Sequence, residues 1–130
     1  MVDTSVVLKW FYPTADGAQA AIDVLRAHER DETVLVAPAD LPIELINVLT
    51  YLGADADEAA RAVRLLTDIG VLIAPVGESL LVDAARIAHA EKIALYDAAF
   101  IALAARLDAE LVTADLRQAG TASCRVRLIA

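Results

Sequence analysis

Leu95-Tyr96-Asp97-Ala98-Ala99-Phe100-Ile101-Ala102-Leu103-Ala104 is followed, after a short interval, by Glu110-Leu111-Val112-Thr113-Ala114-Asp115. The first stretch reads as a helix, Asp97 to Leu107, with Phe100, Ile101 and Ala104 sharing one apolar face. The second reads as a β-type run, Glu110 to Thr113, closed by Asp115. Short β-type runs alternating with longer helical ones are the pattern of an α/β domain with a parallel sheet. The alternation continues outward from this stretch in both directions. The predicted strands are Met1-Val2, Val34-Ala37, Val71-Ala74, Glu110-Thr113 and Arg125-Ile129. The other predicted helices are Thr4 to Phe11, Ala15 to Arg30, Pro38 to Leu52, Asp55 to Ile69 and Glu78 to Ala90. Pro38 suits a first helical turn, where its missing N–H is no loss. Gly53 and Gly70 are placed to end the helices before them.

Four carboxylates stand at the edges of apolar segments: Asp3, Glu44, Asp97 and Asp115. A carboxylate in apolar surroundings needs hydrogen bonds, a cation or a proton. No Lys or Arg recurs beside the four at a fixed spacing. A divalent cation is therefore the economical partner, and hard oxygen ligands select Mg²⁺ or Mn²⁺ over softer metals. Asp3 and Asp115 both follow β-type runs, which puts them at strand C-terminal ends, the edge where open parallel sheets bind ligands. Each would serve equally as a helix N-cap. Glu44 lies about 60° from the centre of the Leu41, Leu45, Val48, Leu52 stripe, where a solvated glutamate is not expected. The alternative for Glu44 is an edge position from which the carboxylate reaches water. Asp97 opens its helix on the midline of the apolar face, a position that also permits plain capping. There the helix dipole favours its charge.

Nothing else in the chain offers a nucleophile paired with a base. His28 and His89 fall in helical segments without a partner motif and read as surface or boundary residues. One cysteine, Cys124, excludes an internal disulfide and a thiolate zinc cluster, and reads as a small hydrophobe near the last strand. It points to a reduced cytosol.

The 130 residues suit one domain with a real core, residues 1–130. A hydrophobic fraction of 58% leans on alanine, and the mean hydropathy of +0.55 does not imply a membrane protein. The longest apolar run, Ala98 to Ala105, is less than half the ~20 residues of a spanning helix. Asp3 stands where a signal peptide would begin its positive and apolar regions, so a cytoplasmic protein is expected. The net charge of −8 counts against a generic nucleic-acid binder, which carries a basic footprint. Lys92, Arg106, Arg117, Arg125 and Arg127 are candidates for a local basic rim, against the plainer reading of dispersed surface charges.

The early D-T-S, the P-x-E-x-x-N-V-L, the Y-D-A-x-x-x-A-L-A and the late L-V-T-A-D, in this order, resemble the PIN domain of VapC-type toxin ribonucleases. The resemblance covers nearly the whole chain. It implies a three-layer PIN-like α/β fold with a central, mainly parallel, five-stranded sheet flanked by helices. It further implies a Mg²⁺- or Mn²⁺-dependent endoribonuclease acting on RNA, an antitoxin protein as partner and a homodimer. Carried over by position, Asp3, Glu44 and Asp97 would be the principal ligands and Asp115 would complete the site. Thr4, Ser5 and Thr113 match polar neighbours that position water or phosphate in the family. Asn47, one turn after Glu44, is placed either to orient it or to be a plain surface amide.

Two features depart from the pattern. The tail Leu116-Arg117-Gln118-Ala119-Gly120 lacks the richer basic stretch common there. Only Met1 and Val2 precede Asp3, whereas a central strand runs about five residues, so either residues are missing at the start or the strand is short. A catalytically idle PIN-like module that only binds a partner is the competing reading. A phosphorylated receiver domain would need an acidic pair after the first strand, and a haloacid-dehalogenase-like phosphatase would need D-x-D. Thr4 and Ser5 break both patterns.

Overall fold

The computed structural model describes residues 1–129. Among them, helices α1 (Thr4–Phe11) and α2 (Ala18–Glu29) precede strand β1 (Val36–Pro38). Helices α3 (Asp40–Tyr51) and α4 (Ala56–Ile69) then lead to β2 (Leu72–Ala74). The rest of the chain is α5 (Glu78–Glu91), α6 (Leu95–Arg106), β3 (Leu111–Thr113), α7 (Leu116–Ala119) and β4 (Val126–Leu128).

The expected five-stranded sheet is not formed. The described residues hold four short strands in two parallel pairs: β1 with β2, Val36 opposite Leu72, and β3 with β4, Leu111 opposite Val126. Met1 to Asp3 lies between the pairs and makes a single parallel bridge, Val2 to Val112. Its Val2 N–H donates to Val36 O at 3.0 Å, and Met1 O accepts from Val112 N–H at 2.8 Å. This segment remains a bridge because Asp3 already turns the chain into α1 as its N-cap. Pro38 is the second local correction. It ends β1 instead of starting α3, since helical residues begin at Asp40.

Burial explains the element positions. Alanine-rich α6 is buried from Ala98 through Ala104, apolar on every side as expected of a central helix, and packs most extensively on α5. Val2, Val6, Val7, Leu41, Leu45, Leu111 and Phe100 join it in one cluster of buried residues. In α3 the buried stripe is Leu41, Leu45 and Leu49, while Leu52 is 53% exposed. The stripe is thus rotated away from Glu44 relative to the sequence reading and leaves it half-buried at the edge. No helix among the described residues is long and apolar enough to cross a membrane.

Candidate functional site

Parallel strands direct their C-terminal ends toward one edge, and the helices that follow start there. Asp3 leaves the Val2 bridge and caps α1, while Asp115 follows β3 and caps α7. Glu44 comes from α3, the helix after β1, and Asp97 from the first turn of α6. These four carboxylates line one cleft of about 300 Å³, together with Thr4, Ser5, Leu8, Asn47, Val48 and Gln118.

Asp3 is 2% exposed. Its Oδ1 accepts from the Val6 N–H at 3.0 Å and from the Ser5 hydroxyl at 2.7 Å. Its Oδ2 accepts from the Thr113 hydroxyl at 2.6 Å. Burial pushes its pKa up, the three hydrogen bonds pull it back, and the negative Asp115 adds a smaller upward push. Thr113, fully buried, also accepts from the Asp115 N–H at 2.9 Å. Ser5 Oγ accepts from the Ala114 N–H at 2.9 Å. Two hydroxyls therefore tie the start of α1 to the turn after β3.

Glu44 Oε2 accepts from the Thr4 hydroxyl at 2.5 Å. Its pKa is raised first by burial; Thr4 opposes that, and Asp97, Asp40 and Asp3 add repulsion. Thr4 is thus the residue that orients Glu44, while Asn47 lies exposed in the cleft lining, as its reading as a surface amide has it. The capping readings separate the remaining pair. Asp115 caps α7, accepting from the Arg117 N–H at 2.8 Å. Asp97 does not cap α6, whose N-cap is Ala94. Its Oδ1 instead accepts from Gln118 Nε2 at 3.0 Å.

Among the described residues, no three His, Cys, Asp or Glu side chains stand together closely enough to hold a metal ion. The tight oxygen convergence expected of a shared ligand set is therefore not reached. Carboxylates at that spacing repel one another, and each here has a nearer donor. The donor set still suits a hard cation: four carboxylates, with no sulfur or imidazole in the lining. The N-terminal turns of α1 and α6 meet at the cleft, and their backbone dipoles favour negative charge there.

Of the two readings of the C-terminal basic residues, the plainer one, dispersed surface charges, agrees with the positions of Arg106, Arg125 and Arg127. No Lys or Arg lines the cleft. Arg106 pairs with Asp83 at 2.7 Å, Arg125 with Asp108 at 3.5 Å and Arg127 with Glu110 at 3.2 Å. Gln118 is the lining residue that sequence reasoning passed over. Its signal was an amide within a helix of only Leu116–Ala119, too short to show a period.

No curated protein matches the chain. PIN domains are generally nucleases that act on nucleic acid and typically use divalent metal ions, which suggests a nuclease-type function for an acidic cleft of this kind. The PIN domain model matches residues 1–123, from the Asp3 segment past the Asp115 turn, and the chain belongs to that family.

Proposed function

We propose that this chain is a Mg²⁺- or Mn²⁺-dependent endoribonuclease, the toxin of a toxin–antitoxin pair. The observation that carries the reading is the meeting of Asp3, Glu44, Asp97 and Asp115, from four separate elements, in one cleft without a basic side chain. Asp3, Glu44 and Asp97 would hold the cation, with Asp115 completing the set. When bound, the cation would supply the positive charge the lining lacks, a water of lowered pKa and stabilisation of charge on the scissile phosphate.

The chain's own residues perform the preparatory work. Thr113 and Ser5 hold Asp3 at both oxygens, so its carboxylate cannot swing out of the cleft. Thr4 fixes one oxygen of Glu44 and leaves the other for a ligand. Leu8 and Val48 line the floor beside them and limit the water around the carboxylates. A net charge of −8 suits a basic antitoxin segment reaching the acidic cleft, and the toxin reading carries a homodimer with it.

The test is RNA cleavage by the purified protein with Mg²⁺ or Mn²⁺, and with EDTA as control. Cleavage should require the metal, and Asp97→Asn should abolish it with the fold retained, because the change removes a charge and almost no volume. Undiminished cleavage by that variant would remove Asp97 from the ligand set. A partner-binding module without catalysis is the second reading, favoured by the protein donors on both oxygens of Asp3. Metal binding without cleavage of any RNA in a broad panel would select it.

A further inference from the structure

Gln118 is 4% exposed, yet it lines the acidic cleft. Its Nε2 donates to Asp97 Oδ1 at 3.0 Å, which is the side-chain hydrogen bond Asp97 receives among the described residues. Its Oε1 is buried and has no hydrogen-bond partner among them. Reversing the amide does not remove the problem. It would set Oε1 against a carboxylate oxygen and take the donor away from Asp97. An apolar side chain would fill this buried place without leaving an acceptor unpaired, and buried acceptors in folded proteins nearly always have a donor.

We propose that Gln118 is a positioning residue of the cleft. Its amide N–H holds the Asp97 carboxylate in place for the cation, and the carboxamide is kept for that bond although it leaves Oε1 buried and unpaired. This rests on the cation reading above. It assigns the short α7 a purpose: Asp115, at its N-cap, and Gln118, one turn later, address the same cleft from one element. A neutral amide suits the task. It orients a carboxylate without the competing positive charge that a Lys or Arg would bring to a cation site.

The experiment is a calorimetric Mn²⁺ titration of the full chain as wild type, Gln118→Met and Asp97→Asn, with melts in EDTA for each. Gln118→Met keeps the volume and removes both the donor and the acceptor. It should melt close to wild type in EDTA but bind Mn²⁺ about 10–100-fold more weakly, the usual loss when a group orienting a metal ligand is removed. Wild-type Mn²⁺ affinity in Gln118→Met, with affinity lost in Asp97→Asn, would overturn the Gln118 proposal and leave the cation site standing. Wild-type affinity in both variants would overturn the cation site and this proposal with it. Should Gln118→Met fail to fold, the wild-type protein still provides a test. The side-chain amide resonances of Gln118 should shift saturably with Mg²⁺, with the same midpoint as backbone resonances around the cleft. Cleft resonances that shift while the Gln118 amide does not would contradict the proposal.

Discussion

Asp3 is a nearly solvent-free carboxylate, and three donors make its charge tolerable: the Val6 N–H, Ser5 and Thr113. Thr113→Val keeps the shape of the side chain but removes the hydroxyl that serves both Asp3 and the Asp115 N–H. Buried groups left without partners destabilise by about 1–3 kcal/mol, and urea unfolding should register a loss in that range. Unchanged stability would mean that Thr113 supports nothing. Glu44 provides the pH test. Its pKa lies above the ordinary 4.5, chiefly through burial, so the folded state holds its proton more tightly than the unfolded chain does. Stability from this group is therefore complete below about pH 4 and falls as pH rises through the raised value. Glu44→Gln keeps an acceptor for Thr4 and abolishes the titration. In the absence of metal it should be more stable than wild type at pH 7 and show no such advantage at pH 4. An equal difference at both pH values would contradict the burial argument. These details were not legible in the sequence. Asp3 and Asp97 were visible as carboxylates at element starts, but hydroxyl pairing depends on rotamers that a linear pattern does not carry. The spacing of Asn47 from Glu44 therefore left two readings open, an orienting amide or a surface one, and did not reveal the bond from Thr4.

At the scale of elements, helices were read well because burial repeats along them. The range Thr4 to Phe11 agrees with α1 at both ends, and Asp55 and Gly70 do bound α4, with Asp55 forming a capping box with Glu58. Strands of three residues show too little alternation to define their limits. Val34, placed in the second predicted strand, is 61% exposed and precedes β1. Helix α7 went unread because Leu116 to Ala119 is a single turn. The helix with the strongest packing constraint is α6, where Ala104 is fully buried at the end of the buried run that starts at Ala98. Ala104→Leu adds volume inside the core cluster. It should destabilise the protein by about 1–3 kcal/mol in chemical denaturation. A neutral result would show slack packing around α6.

For the molecule as a whole, the position of the cleft was legible and its finer geometry was not. Parallel strand order sends Asp3, Asp115 and α3 to one edge, where Asp97 from α6 joins them, so four carboxylates distant in sequence line one cleft. The sheet joining them was read as larger than it is, because family resemblance supplies a strand count that Met1 to Asp3 does not meet. On the proposed cation reading, stability becomes a function of metal. Like charges near one another destabilise the fold, and a ligand that binds only the folded state offsets that cost. Mn²⁺ at ~100 times its dissociation constant should add about 2.7 kcal/mol, which is a rise of about 10 °C in melting temperature for a chain of this length. The most direct test is a pair of melts, in EDTA and in Mn²⁺, for wild type and Asp97→Asn. The account predicts that wild type gains this stability with Mn²⁺, while Asp97→Asn is at least as stable in EDTA and gains far less. Equal gains in the two proteins, or none in either, would contradict a cation shared by these carboxylates.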